Sequence, residues 1–314
     1  MNVSGSVASF VGMFLFMIGI TLVLRQRNVL RTEHASLLSA LLIDVVWPLL
    51  IFSSVARASI EVQDLAATSA VIGAEVCSCV LSYLLGRWIL RLDRSALGAF
   101  VIAATFGSTS LIGNALVQVL FHDNPALGSM SMIIGQFGVG IPGNTIGVFL
   151  AMHFGAKGSN VSFGEQFRKF ITMPPTLALF LGIVWTTCKL PVSGVGFDVV
   201  FGGCKMVSTS LPFISAMVVG LSLRALNVRR DLVVLGAGAI LALVVEPLIA
   251  DQLLGLYPVG AETRLIAILF SAMPSSPLGV VMAVRFGGDT ALAGKLATFT
   301  LLMSAVTLPL IALL

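Results

Sequence analysis

The chain has 314 residues, of which 57% are apolar and only 10% charged, with a formal net charge of +4. An ordinary soluble domain carries roughly 25% charged residues, so these figures exclude a soluble globular enzyme, a disordered chain and a nucleic-acid-binding protein. They leave a polytopic α-helical membrane protein, built from apolar runs of roughly 20 residues that match a hydrocarbon layer of roughly 30 Å.

Ten apolar segments lie between polar breaks, at approximately 6–24, 35–55, 66–90, 97–120, 127–153, 173–190, 199–223, 232–254, 264–286 and 291–313. They nearly exhaust the chain, so no soluble domain is expected. Segment 1 does not read as a secretory signal, because no Lys or Arg precedes it and Arg25 and Arg27 follow it. With the N-terminus outside, the inner loops hold Arg25, Arg27, Arg31, Arg87, Arg91, Arg94, Lys157, Arg168, Lys169, Arg224, Arg229, Arg230, Arg285 and Lys295. Of the 18 basic residues, Arg57, Lys189, Lys205 and Arg264 alone fall on the outer side. Short loops rich in Lys and Arg stay cytoplasmic, so a multi-pass protein of the plasma membrane (a bacterial inner membrane) with both termini outside is expected.

Charge inside an apolar segment is costly and marks a functional candidate. In chain order, segment 2 carries Asp44, four residues before Pro48, and segment 3 carries Glu75 near its middle. Segment 8 carries Glu246, directly before Pro247. A carboxyl at membrane depth suits a proton carrier, since its charged form is disfavoured there; the bland alternative is a structural carboxyl bonded inside the bundle. Cys77 and Cys79 on segment 3 point to nearly opposite helix faces and cannot share a metal. Segment 4 is interrupted by Thr105-Phe106-Gly107-Ser108-Thr109-Ser110, then Gly113-Asn114. Segment 5 carries Gln136 and Asn144 around Gly138, Gly140, Pro142 and Gly143, amides for either a cavity wall or interhelical hydrogen bonds.

Cys188 and Cys204 flank the outer loop between segments 6 and 7 and are read as free thiols in preference to a disulfide. Lys205 is expected near the outer end of segment 7, snorkelling to water. Segment 9 is interrupted by Ser271-Ala272-Met273-Pro274-Ser275-Ser276-Pro277, then Gly279. His34, His122 and His153 sit near segment ends with no second ligand at helical spacing, so neither a metal site nor a cofactor is expected. No GxxxxGK[ST] run occurs, which disfavours ATP-driven transport by this chain alone.

The longest hydrophilic stretch, 155–172, divides the segments into two sets of five. The expected organisation is a first five-helix repeat over 1–154, a cytoplasmic connection over 155–172 and a second repeat over 173–314. Five being odd, a duplication would give an inverted repeat, a common transporter architecture. Segments 4 and 9 hold the same ordinal place, and a matched pair of broken helices points to a transport site. Half-helix N-termini there offer free N–H groups and positive dipole ends to an anion. The competing reading is that Gly and Ser only permit close helix packing.

These residues also carry a family resemblance. Segment 9 and its sequel read AMPSSPLGVVMAVRFGGD, and the last segment ends SAVTLPLIALL. Together with DVVWPLLIFSS, FRKFITMPPTLALFLGIV and LPFISAMVVGLSL, in this order and spacing, the chain resembles the auxin efflux carrier family. The resemblance implies an all-α fold of ten transmembrane helices, a five-plus-five inverted repeat with broken helices 4 and 9 crossing, and transport of organic anions. It further implies a scaffold of helices 1, 2, 6 and 7, through which a homodimer is expected. Ser108 stands where the family's helix 4 usually has Asn, and Ala115 where it has Pro; Pro274 is kept, with Pro277 near the place of a second Pro.

The function expected is therefore a secondary transporter, not an enzyme, moving a mono- or dicarboxylate by alternating access, either as an exporting uniporter driven by the membrane potential or in uptake with protons as coupling ions. Ser108, Thr109, Ser110, Asn114, Gln136, Asn144, Pro274, Ser275, Ser276 and Pro277 are the substrate-site candidates, and Asp44, Glu75 and Glu246 the coupling candidates. The alternative is a channel or sensor without coupled transport. An intramembrane enzyme is disfavoured because Ser275 and Ser276 have no His at reachable depth and no HExxH occurs.

Overall fold

The computed structural model describes residues 3–57, 62–113, 116, 127, 130–131, 133–156, 163–222 and 228–311. Secondary structure among them is helical, with a single isolated β-bridge and no strand. That follows from the solvent: backbone polar groups in lipid must be satisfied within the segment, which a helix does.

The helices, in chain order, are α1 (Val3–Gln26), α2 (His34–Ala56), α3 (Val62–Leu84, continued by Leu85–Ile89), α4 (Arg94–Thr105), α5 (Ile134–Phe154), α6 (Phe163–Ile171) and α7 (Pro174–Thr187). There follow α8 (Val195–Ser208), α9 (Leu211–Ser222), α10 (228–254), α11 (Ala261–Ser271), α12 (Pro277–Phe286) and α13 (Thr290–Ile311). Among the described residues, six helical runs are long and apolar enough to cross a bilayer: His34–Ala56, Leu65–Ile89, Ile134–Phe154, Val195–Ser222, Asp231–Leu254 and Thr290–Ile311. Four shorter apolar helices, Gly12–Gln26, Arg94–Thr105, Pro174–Thr187 and Pro277–Phe286, fall on segments 1, 4, 6 and 9. Segments 4 and 9 fall short because each is broken, and α7 because its 14 residues span only about 21 Å at 1.5 Å per residue.

Local chemistry sets the ends. Asp93 caps α4 by accepting from the Ala96 N–H at 2.8 Å. Ser276 caps α12, Pro277 opens it, and Gly287 closes it at φ 79°, the left-handed geometry of a helix C-terminus. Prolines inside long runs widen the helix. Pro48 removes the donor for the Asp44 carbonyl, and Pro247 the donor for the Leu243 carbonyl; both carbonyls lie in π-helical turns, Leu42–Val46 and Leu241–Val245. Segment 7 begins earlier than expected, at Val195, and breaks at Thr209 and Ser210 before Pro212. Lys205 accordingly sits in the last turn of α8 on an exposed face, not at the outer end of the segment.

The bundle packs α2 against α7, α1 against α9 and α3 against α10. Small residues permit the close approaches: a Cβ added at Gly182 of α7 would lie 2.9 Å from Val55 Cβ of α2. The main core gathers Phe14, Leu42, Trp47, Phe106, Leu269 and Phe270 around the interrupted helices. Cys188 and Cys204 are both free thiols, the first exposed and the second buried.

Candidate functional site: a polar cavity where two broken helices meet

An interrupted helix leaves carbonyls and N–H groups without their helical partners, and at membrane depth each needs another. α4 stops at Thr105, and Phe106 turns extended at φ −90°, ψ 109°. α11 stops at Ser271, and the chain does not resume a helix until Pro277. The two extended stretches lie antiparallel and satisfy each other. Ser108 N–H donates to the Pro274 carbonyl and Ser276 N–H to the Phe106 carbonyl, each at 2.9 Å, bracketing a bridge between Gly107 and Ser275. Gly107 is required here, since a Cβ would stand 2.9 Å from Met273 Cβ and 3.2 Å from its carbonyl oxygen. Hydroxyls close the remainder. Ser275 donates to the Ala103 carbonyl, Ser78 of α3 to the Ala104 carbonyl at 3.4 Å, and Ser275 N–H donates to Thr300 Oγ1 of α13 at 3.0 Å.

A cavity opens beside this bridge, walled by Trp47, Leu50, Phe106, Leu211 and Met282 and carrying Ser108, Thr109, Gln136, Asn144 and Ser276 as polar groups. No charged side chain borders it among the described residues. Its volume is about 40 Å³, against the roughly 10–15 Å³ that one water needs on the same measure, so this conformation admits a polar head group and little more. Thr109 donates to the Gly135 carbonyl at 3.3 Å, and Ser276 Oγ accepts from the Leu278 N–H at the start of α12. Asn144 is buried. Ser108 is 3% exposed, and its buried hydroxyl has no hydrogen-bond partner among the described residues. A buried hydroxyl left unmet costs stability, and this residue borders the cavity.

Of the site residues expected from sequence, the structure thus brings together Ser108, Thr109, Gln136, Asn144 and Ser276. Ser275 is turned away, its hydroxyl committed to the break, and Pro274 contributes its carbonyl to the bridge. Ser275 and Pro277 border a smaller hollow with Phe14 and Leu301. Asn114 and the Ser110 side chain lie outside the described residues.

The three carboxylates part company. Asp44, expected inside segment 2 as a coupling candidate, is 37% exposed and paired with Arg285 of α12, whose Nη2 stands 2.9 Å from Oδ2 and 3.2 Å from Oδ1. The π turn before Pro48 and the length of the Arg285 side chain make this meeting, which the separation in sequence hid. Glu75 and Glu246 are buried, at 1% and 2% exposure, and interact electrostatically across the contact of α3 with α10. None of the three borders the cavity. Sequence reasoning missed Ser78 and Thr300, whose signal was a hydroxyl in an apolar run, and the apolar walls, which carry no signal distinct from core.

Apolar helices in most of the chain, with two interrupted members meeting beside a cavity that carries polar groups, mark a multi-pass membrane transporter. The comparisons with known proteins agree. The model of the family described as membrane transport protein, that of the auxin efflux carriers, matches residues 7–312, and the chain belongs to this family. It is 25% identical over 294 residues to an uncharacterized transporter of Methanothermobacter thermautotrophicus, covering 92% of this chain and 91% of that one. A second uncharacterized transporter, of Methanocaldococcus jannaschii, is 23% identical over 286 residues, covering 89% of this chain and 90% of the other.

Proposed function

We propose that this protein is a secondary transporter of a small organic anion, a mono- or dicarboxylate, working by alternating access. The observation that carries the reading is the cavity at the paired breaks. Its polar lining is made of neutral groups, with an unpartnered Ser108 hydroxyl, two amides and the first turn of α12. A helix N-terminus favours negative charge, and hydroxyl and amide hydrogens can take up the oxygens of a carboxylate. In this reading Ser108, Thr109, Gln136, Asn144 and Ser276 hold the head group, while Pro274, Ser275 and Pro277 shape the break; Ser110 and Asn114 belong to the same stretch.

The architecture proposed with it is ten helices in two inverted sets of five, over 1–154 and 173–314, with both termini outside a bacterial inner membrane and the broken helices crossing. Rocking of one set of helices against the other would open the cavity to either side. Protons are the proposed coupling ions, exchanged on buried carboxyls, and a homodimer through the scaffold helices is the proposed assembly.

The test is substrate counterflow in proteoliposomes, with the cargo first found by thermal shift of the purified protein against mono- and dicarboxylates. Ser108→Val and Asn144→Leu should each abolish counterflow of that cargo while leaving a folded, monodisperse protein. Unchanged counterflow in both would remove the cavity as the transport site.

A further inference from the structure

Glu75 and Glu246 stand apart from the cavity and have a construction of their own. Both oxygens of Glu75 and Oε2 of Glu246 are buried without a hydrogen-bond partner among the described residues. The Glu246 charge reaches Glu75 electrostatically, and among the described residues no basic side chain is seen to compensate either. Two like charges side by side away from water are disfavoured twice, by desolvation and by mutual repulsion. Orphaned acceptors of this kind are met by hydrogen, which a protonated carboxyl brings with it.

Ser78 connects the pair to the transport site. Its hydroxyl donates to the Ala104 carbonyl at 3.4 Å and lies close enough to the Glu246 carboxylate to act on it electrostatically. A serine hydroxyl has one hydrogen to give. The Ala104 carbonyl is among the acceptors that the break after Thr105 deprives of a helical partner. The residue before it, Ala103, already holds Ser275 of the opposite break.

We propose that Glu75 and Glu246 form one proton-exchange site and that Ser78 is the positioning residue that links its charge to the broken end of α4. This rests on the transport reading above and names the coupling device within it. With the pair charged, Ser78 donates to Glu246 and releases the Ala104 carbonyl. When a proton from water binds a carboxylate oxygen of the pair, Ser78 turns its hydrogen to Ala104 and completes the break. Release of the proton reverses both moves.

Cys79 is the other titratable group in electrostatic contact with Glu75 and Glu246. On the elements packed around them, Cys77 and Tyr83 lie on exposed faces of α3, Asp251 is paired with Arg264, and Lys295 with Asp231. Arg87, Arg94, His153 and Glu262 sit near helix ends.

The experiment uses the full chain in proteoliposomes with the carboxylate identified by thermal shift. Counterflow, which needs only the carrier, is compared with accumulation driven by a pH gradient. Glu75→Gln, Glu246→Gln and Ser78→Ala should keep counterflow and lose gradient-driven accumulation to the level without a gradient, while Ser78→Thr restores it. Gradient-driven accumulation equal to wild type in the three variants overturns the proposal, as does a Ser78→Ala loss that Ser78→Thr fails to repair. Infrared difference spectra between acid and alkaline pH give a readout that needs no cargo: a protonated-carboxyl C=O band in wild type, diminished in each Gln variant, supports the site. A spectrum unaltered by both Gln substitutions refutes it. Absent counterflow in wild type refutes the transport reading instead, leaving the infrared result to decide the proton site.

Discussion

Ser108 and Ser275 are the same residue type on the two sides of one bridge, and removing each hydroxyl should have opposite consequences. Ser275 is 3% exposed and donates to the carbonyl of Ala103, also 3% exposed, which the break in α4 has freed. Ser275→Ala leaves that acceptor unmet where no water can replace the donor. Such a loss costs about 1–3 kcal/mol in protein interiors, and interhelical polar bonds in membranes average about 0.6 and reach about 1.7, so about 1–2 kcal/mol is expected. Ser108 is equally buried but its hydroxyl has no partner to lose. Ser108→Ala should therefore leave stability unchanged or raise it slightly, and weaken cargo binding. Thermal unfolding of both variants in detergent, followed by thiol labelling of buried Cys204, reads the first quantity, and cargo-induced shift of the unfolding midpoint reads the second. The reasoning fails if Ser275→Ala unfolds at the wild-type temperature, or if Ser108→Ala is destabilised as much as Ser275→Ala.

Gly107→Ala should cost about 1–3 kcal/mol through overpacking, since its Cβ would meet Met273 Cβ at 2.9 Å; a matched unfolding midpoint would contradict the packing argument. Lys295→Met removes an ion pair of 2.7 Å with Asp231 whose side chains are only 13% and 18% exposed. The cost should be about 2 kcal/mol, between that of an exposed and of a buried pair, and largely insensitive to salt. Asp44→Asn should lower stability by less than about 1 kcal/mol, because both partners of its pair are more than a third exposed. The charge-swapped pair Asp44→Arg with Arg285→Asp should recover the loss measured in unfolding.

The helical class and both interruptions were legible because Gly, Pro, Ser and Thr break apolar periodicity at 105–110 and 271–277, a purely local signal. That the two breaks bond to each other was not, since the Ser108–Pro274 and Ser276–Phe106 bonds join residues far apart in sequence and backbone pairing leaves no pattern in side chains. The same blindness to distance hid the Asp44–Arg285 pair. Gln136 and Asn144 could be read as polar groups in a glycine-rich run, but whether they lined a cavity depended on Ser108, Phe106 and Ser276 arriving from other helices. Ser275 and Ser276 were indistinguishable in sequence, yet alternation along an extended strand sends one to the break and the other to the α12 cap.

The neutral lining of the cavity has an electrical consequence. With no fixed charge among the described groups that border it, the empty site would itself move almost nothing across the field while Glu75 and Glu246 are protonated. In the proposed anion-transport cycle the loaded stroke would then carry the whole charge of its cargo, worth about 2.3 kcal/mol per elementary charge at 100 mV. Voltage would act on one half of the cycle and leave the other untouched. An inside-negative potential would therefore speed exit of a bare anion until the silent return limits the turnover.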